Sequence, residues 1–137
     1  MSRLLALLLV CLAALSAGPG GRAAELVMFL AGNCEWCEVW EKEIGVIYPK
    51  TDEARTAPLR RIEIFHPRPA DLAKLKGVHY TPTFVLIDGG KEIGRIIGYP
   101  GEDFFWELLG GLIKKLPAES RRACAVPGAG TEGGKIC

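Results

Sequence analysis

The pattern of apolar and polar residues along the chain predicts alternating strands and helices. Leu26 to Leu30 form a continuous apolar run of strand length, which favours a strand covered on both faces. Asp88-Gly89-Gly90 is a hairpin signal between two later strand-like runs. The predicted elements, in chain order, are strand 25–31, helix 38–48, strand 59–65, short helix 70–76, strand 83–87, strand 92–99 and a final helix reaching residue 116.

Both longer helices are predicted to be amphipathic. Asn33 is the expected N-cap of the first, and Pro49 ends its helical run. The apolar residues at helical spacing should face the core; they are Val39, Trp40, Ile44, Ile47 and Tyr48 in the first helix, and Phe104, Phe105, Leu108, Leu109, Leu112, Ile113 and Leu116 in the last. The resulting order, β-α-β-α-β-β-α, is that of an α/β domain.

The start of the chain has the organisation of a secretory signal peptide. Arg3 supplies a small positive region, Leu4 to Ala17 are apolar but too short to span a bilayer, and helix breakers follow before Ala23. We expect residues 1–23 to be removed by cleavage near Ala23 on export. A lipid anchor through Cys11 is the weaker alternative, because the leader before that cysteine would be only ten residues long.

The chain after this leader has the size of one domain. Its 114 residues carry 15 basic and 16 acidic side chains, a formal charge of −1, which indicates neither a nucleic-acid partner nor a membrane surface. We expect one globular, monomeric unit over 24–116. After Pro117 the composition shifts to Ala, Gly, Arg and Ser, which predicts a mobile tail over 117–137.

Cys34-Glu35-Trp36-Cys37 is the feature that indicates chemistry. It lies where the first predicted strand gives way to the first helix, so both cysteines fall on one helix face and can close a small disulfide ring. Backbone N–H groups and the positive end of the helix dipole stabilise a thiolate at Cys34. The motif predicts a redox dithiol in which Cys34 attacks a substrate disulfide and Cys37 resolves the mixed disulfide.

Together with its setting, this motif gives the chain a resemblance to the thioredoxin superfamily. The resemblance covers roughly 25–116 and depends on the strand before the motif, the helix after it and Thr81-Pro82 at the start of the third strand. It implies a thioredoxin fold with a central mixed sheet, a cis peptide bond before Pro82, and contact of Thr81 and Pro82 with dithiol and substrate. Trp36 is expected to be exposed and to contact partners, whereas Trp40 is expected in the core.

Within the superfamily, the chain looks most like the SoxS-type periplasmic proteins of bacterial sulfur-oxidation systems. This narrower resemblance is based on the exported character, the small size, the residues Glu35 and Trp36 and the extra tail. It implies reduction of a disulfide or mixed disulfide on a partner protein, with a sulfur-carrier protein as the candidate. It also implies an inner-membrane dithiol as electron donor, and the exchange needs no cofactor.

The residues near the motif bear on the direction of exchange and on proton transfer. The charges of Glu35 and Glu38 disfavour a nearby thiolate, so the chain is expected to be a reductant rather than a strong oxidant. The thioredoxin pattern has a buried Asp six residues before the first cysteine, where this chain has Met28. Glu63 in the second strand, or water, would then have to assist deprotonation of Cys37.

Two alternatives stay open at the level of sequence. Cys124 and Cys137 could form a second disulfide, exchange with the Cys34–Cys37 pair, pair with another molecule or stay free. The alternative function is binding of a soft metal such as Cu(I) by the Cys-x-x-Cys pair, with His79 and the tail cysteines as further candidates. Structural zinc is less favoured, because only one closely spaced cysteine pair is present.

Overall fold

The computed structural model describes residues 23–122, in which four strands form one mixed sheet of order β2-β1-β3-β4. The strands are β1 (Glu25–Leu30), β2 (Leu59–Glu63), β3 (Thr83–Asp88) and β4 (Lys91–Ile97). β1 and β2 are parallel, whereas β3 is antiparallel to both of its neighbours. The predicted α/β class with a central mixed sheet is confirmed.

Four helices accompany this sheet in the described part of the chain. They are α1 (Glu35–Trp40), α2 (Asp52–Thr56), α3 (Glu102–Ile113) and α4 (Ala118–Arg122). α1 continues directly into a π-helical turn, Glu41–Gly45, and short 3₁₀ turns form at Tyr48–Lys50 and Ala70–Leu72. Because β1 and β2 are parallel, the chain crosses over between them, and α1 starts at the carboxyl end of β1.

The first helix differs from its prediction at both ends. Its N-cap is Cys34, one residue after the predicted Asn33, and its first residue is Glu35, three residues before the predicted helical run 38–48. The π turn then changes the angular spacing of the side chains. Trp40, Ile44 and Tyr48 are buried as predicted, but Ile47 is 38% exposed.

The other boundaries differ because local hydrogen bonds end the elements early. β2 stops at Glu63, where the chain turns with His66 N–H donating to the Glu63 carbonyl. The helix predicted over 70–76 is only a 3₁₀ turn, Ala70–Leu72.

The last helix buries only part of its predicted apolar face. In α3, Phe105, Leu109 and Leu112 are buried as predicted, but Phe104 and Leu108 are exposed, so the prediction for these two was wrong.

An aromatic cluster anchors α1 to the sheet. The ring of Trp40 lies 5.0 Å from that of Phe84 on β3 and 5.6 Å from that of Phe105 on α3, measured between centroids. All three side chains are fully buried, and burial of such a side chain contributes about 1.5–3 kcal/mol. Trp40, three residues after Cys37, therefore holds the dithiol helix against the sheet. It is a core residue, as predicted.

The predictions for the chain ends fall mostly outside the described residues. Residues 1–22, Cys124 and Cys137 lie there, so the signal peptide and the pairing of the tail cysteines stay predictions. The first part of the predicted tail forms the helix α4. This helix contacts the end of β3, where the Ser120 hydroxyl donates to Asp88 Oδ2 at 3.1 Å. Across 23–122, no helix has the length and apolar character needed to cross a bilayer.

Candidate active site

Cys34 and Cys37 form a disulfide at the start of α1. The sulfurs are 2.03 Å apart and the Cα atoms 5.2 Å apart. Both residues are mostly buried, with 8% and 5% of their surface exposed. The structure therefore brings together the two cysteines that the sequence predicted as the redox pair.

The sulfur of Cys34 caps the helix that follows it. The Cys37 backbone N–H donates to Cys34 Sγ at 3.1 Å, in the place where Ser, Thr, Asn or Asp usually accept this bond. A tight turn sets the cap in position, because the Cys34 N–H donates to the Ala31 carbonyl at 3.1 Å. After reduction the same N–H and the helix dipole stabilise a thiolate on Cys34.

A cleft next to the dithiol is formed by Trp36 and the segment around Pro82. The Thr81–Pro82 peptide bond is cis, and Pro82 is buried while Thr81 is half-buried. The cleft has a volume of about 280 Å³ and is lined by Trp36, Thr81, Pro82, Ile97, Gly98, Tyr99 and Pro100. Trp36 is 59% exposed, so its ring is available to a partner. Thus the three residues predicted to bind substrate share one cleft.

Sequence reasoning missed the second wall of this cleft, which is the segment Ile97 to Pro100. The Gly98 N–H donates to the Pro82 carbonyl at 2.7 Å, and this bond holds the two walls together. Gly98 has a φ of +80°, which favours glycine at that position. The available signal was the apolar Ile97 at a position where β4 ends, next to Gly98 and Pro100.

A second cavity also reaches both cysteines. It has a volume of about 570 Å³ and is lined by Leu30, Ala31, Cys34, Cys37, Glu38, Glu41, Lys42 and Val46. Arg61 on β2 donates from Nε to Glu41 Oε1 at 2.6 Å and from Nη2 to Glu41 Oε2 at 2.7 Å. This hydrogen-bonded pair raises the pKa of the Arg61 guanidinium further. The charge of Glu41 is thereby balanced, whereas the modulating residues Glu35 and Glu38 are exposed.

The remaining candidate residues do not join the dithiol. Met28 is fully buried in the core, so no carboxylate occupies that position. His79 is exposed in the loop before Thr81. Between residues 23 and 122 no group of three or more His, Cys, Asp and Glu is arranged to hold a metal ion, and the tail cysteines lie beyond that range.

Comparison with known proteins gives matches among solved structures. No protein-family model and no curated protein matches the sequence. The reduced form of the periplasmic thioredoxin SoxS from Paracoccus pantotrophus is 47% identical, with a TM-score of 0.64, covering 67% of this chain and 97% of that one.

Two more distant structures have the same fold. A thioredoxin from Halobacterium salinarum is 25% identical, with a TM-score of 0.50, covering 66% of this chain and 75% of that one. A thioredoxin from Malassezia sympodialis is 20% identical, with a TM-score of 0.50, covering 67% of this chain and 76% of that one.

Proposed function

Since the chain belongs to the thioredoxin superfamily, as a SoxS-like thiol–disulfide oxidoreductase, we propose that it reduces a disulfide or mixed disulfide on a periplasmic partner protein. Membership follows from 47% identity to SoxS over 97% of that chain. The proposed partner is a sulfur-carrier protein of sulfur oxidation, and the proposed electron donor is an inner-membrane dithiol. The periplasmic location of SoxS supports the same compartment for this chain.

The observation that carries this proposal is the hydrogen bond from the Cys37 N–H to Cys34 Sγ beside the cleft of Trp36 and Pro82. It favours Cys34 as the nucleophile, because a thiolate there keeps this backbone donor. Cys34 attacks the substrate disulfide and forms a mixed disulfide, with one substrate sulfur leaving as a thiol. Cys37 then displaces the second substrate thiol and closes the Cys34–Cys37 disulfide.

The direction of electron flow follows from the charges around Cys34. Glu35 and Glu38 are exposed carboxylates on the first turn of α1, and their charge opposes a thiolate at the helix start. A less stable thiolate makes the dithiol a better electron donor, because the reduced form of the protein is less favoured. This supports a reductant.

The arrangement of the whole chain is part of the proposal. Residues 1–23 form a signal peptide cleaved near Ala23, and a monomeric domain spans 24–116. The tail, 117–137, carries Cys124 and Cys137, and their pairing with each other would close a Gly-rich loop. Such a disulfide would stabilise the protein by restricting the unfolded state of the chain, without entering the exchange reaction.

Trapping the partner tests the function directly. A Cys37→Ser variant cannot resolve the mixed disulfide, so Cys34 should stay attached to its substrate during non-reducing purification from a periplasmic extract. We expect a sulfur-carrier protein that added thiol releases and that is absent when Cys34 is also replaced. Trp36→Ala should weaken trapping more than Phe65→Ala, a matched loss of an exposed ring outside the cleft.

The other outcomes contradict specific parts of the proposal. Recovery of many unrelated disulfide proteins would contradict the sulfur-carrier protein as the specific partner and would indicate a general disulfide reductase. Recovery of nothing from a variant with a reactive Cys34 would contradict a protein-disulfide substrate altogether.

A further inference from the structure

The second cavity next to the dithiol is a concave surface separate from the cleft. Its volume of about 570 Å³ lies within the range of about 300–1,000 Å³ of sites that hold a small ligand. Both cysteines line it, whereas the cleft has neither cysteine in its wall, and within residues 23–122 the two surfaces share no lining residue. The protein therefore has two concave surfaces next to one reacting pair.

The cleft and the second cavity lie on opposite sides of Cys37. Trp36 lines the cleft and Glu38 lines the second cavity, and each is one residue, or about 100° around the axis of α1, from Cys37. The sheet has the same arrangement, because Leu30 in the second cavity pairs with β2, whereas Pro82 in the cleft leads into β3 on the other side of β1. A partner bound at the dithiol can therefore contact a different surface on each side.

Apolar residues form much of the wall of the second cavity. They are Leu30, Ala31 and Val46, together with the two cysteines. Val46 follows directly after the π turn and is 62% exposed, so its side chain is in contact with water in the free protein. An apolar group that covered this wall would remove its surface from water, which is favourable.

The charged residues in this wall do not require a charged occupant. Glu41 accepts two hydrogen bonds from Arg61, and its carboxylate lies beside Gly45. Glu38 and Lys42 are exposed, so the charge of each can stay in water while the methylene groups of Lys42 cover part of the wall. The wall is therefore complementary to an apolar group rather than to an ion.

We propose that the second cavity binds a large apolar side chain of the partner protein, one or two residues from the cysteine that Cys34 attacks. This inference rests on the proposed exchange reaction. Because Cys34 itself lines the cavity, a partner sulfur that reaches it brings its neighbouring residues to the cavity, at about 3.3 Å per residue of extended chain. The partner chain on the other side of that cysteine then lies toward the cleft. The preferred substrate is thus a disulfide whose cysteine has apolar residues on both sides.

Three synthetic peptides test this preference. Each has one cysteine in a mixed disulfide with a coloured aryl thiol, and its neighbours are glycine on both sides, two leucines before the cysteine, or two leucines after it. Cys34 attacks the peptide sulfur, a disulfide forms between Cys34 and the peptide, and the aryl thiolate leaves with the electron pair of the broken bond. The parent protein is the full-length Cys37→Ser variant, in which this product persists. Peptide mass spectrometry distinguishes it from adducts on the tail cysteines.

The two leucine peptides should respond to different substitutions. At limiting peptide concentration, each should react with the parent protein about tenfold faster than the glycine peptide, a typical gain for an apolar group in a hydrophobic pocket. One leucine peptide should lose most of this gain in Val46→Asn and keep it in Ile97→Asn, which changes the cleft, and the other should show the reverse. Leu108→Asn replaces an exposed leucine of α3 outside both surfaces and should keep both gains. All three positions are exposed, so the variants should fold.

Several results would overturn the inference. They are equal rates for the three peptides in the parent protein, unchanged gains in Val46→Asn, and the same loss of gain in Val46→Asn and Leu108→Asn. Self-association of the parent protein that Val46→Asn abolishes would assign the second cavity to another copy of the chain, and it would also overturn the inference. Failure of Cys34 to react with any of the three peptides would instead contradict the proposed function.

Discussion

The Tyr99 hydroxyl donates a hydrogen bond of 2.5 Å to Glu43 Oε2. Glu43 lies on the π turn that follows α1, and Tyr99 lies between β4 and α3 in the wall of the cleft. The Tyr99 ring also packs edge-on against Phe105, with 6.1 Å between centroids. The bond therefore fixes the cleft wall relative to the helical segment that carries the dithiol.

Removing this hydroxyl should weaken both the fold and substrate binding. Tyr99→Phe keeps the ring but loses a hydrogen bond to a carboxylate, which we expect to lower the free energy of unfolding by about 1–2 kcal/mol. A looser cleft wall should raise KM for a protein disulfide while kcat changes little. Urea unfolding and steady-state kinetics measure these effects. Tyr80→Phe, at an exposed tyrosine, is the control, and equal effects from both variants would contradict this role for Tyr99.

The buried tyrosines predict a loss of stability at alkaline pH. Burial raises the pKa of Tyr99, with the hydrogen bond to Glu43 adding to it, and burial followed by the charge of Glu53 raises the pKa of Tyr48. In the unfolded chain both ionise near the ordinary pKa of about 10, so above that pH the unfolded state holds fewer protons than the native state. Their contribution is thus complete below about pH 10 and is lost as pH rises further.

Urea unfolding at about pH 9 and about pH 11 checks this prediction against the ordinary tyrosine pKa of about 10. The wild type should lose free energy of unfolding between the two, and Tyr99→Phe should lose less than the wild type does. Tyr80→Phe should behave as the wild type. If Tyr99→Phe lost as much free energy of unfolding as the wild type between the two pH values, ionisation of the Tyr99 hydroxyl would not be the cause of the loss.

The effect of a side chain at position 45 should depend on Glu41. A Cβ at Gly45 would overlap the Glu41 carboxylate and lie 3.3 Å from the Trp40 ring, although the backbone there is helical. Gly→Ala in a helix normally stabilises by about 0.5–1 kcal/mol. We expect Gly45→Ala to stabilise the wild type less than this, because the new Cβ displaces Glu41 from its exposed pair with Arg61, which contributes about 0–1 kcal/mol.

A double-mutant cycle measures this coupling. In a Glu41→Ala background, Gly45→Ala should be neutral or stabilising in urea unfolding. The same change in free energy in both backgrounds would show that the Trp40 contact, rather than the Glu41–Arg61 pair, determines the effect of the substitution.

The charges of Glu35 and Glu38 should lower the reduction potential. Replacing both with Gln should lower the pKa of the Cys34 thiol and make the disulfide more oxidising. Because both side chains are exposed, we expect about 10–30 mV, where about 30 mV is a tenfold change in the equilibrium constant. Equilibration with glutathione buffers measures it, and added salt should reduce the shift. Glu107→Gln on α3 is the control; no shift, or a more reducing pair, would refute the electrostatic argument.

The strands and the dithiol were predictable because their signals are local. Apolar runs and the hairpin at Asp88-Gly89-Gly90 located β3 and β4 to within two residues. Two cysteines at i and i+3 in the first turn of a helix lie on one face, so their spacing alone predicts that they can form a disulfide. The burial of Trp40 followed from its place on the apolar face of the helix, whereas the exposure of Trp36 followed from the resemblance to the thioredoxin superfamily.

Other features depend on contacts between distant parts of the chain. The π turn moves Ile47 out of the core, and no residue pattern distinguishes it from an α-helix with the same apolar positions. Phe104 has helical spacing to buried residues, yet it lies on the exposed edge of α3. The pairing of Arg61 with Glu41 and the burial of a Glu63 oxygen depend on how β2 is placed against β1 and α1. The periodicity of apolar residues does not predict that placement.

Catalysed reduction of a protein disulfide, with a dithiol as the electron source, is the most direct test of the account. The wild type should accelerate the reaction, and Cys34→Ser should reduce the rate to the uncatalysed level, because the nucleophile is lost. Cys124→Ser should keep the wild-type rate. Wild-type activity in Cys34→Ser together with its loss in Cys124→Ser would contradict the assignment of the dithiol at the start of α1 as the reacting pair.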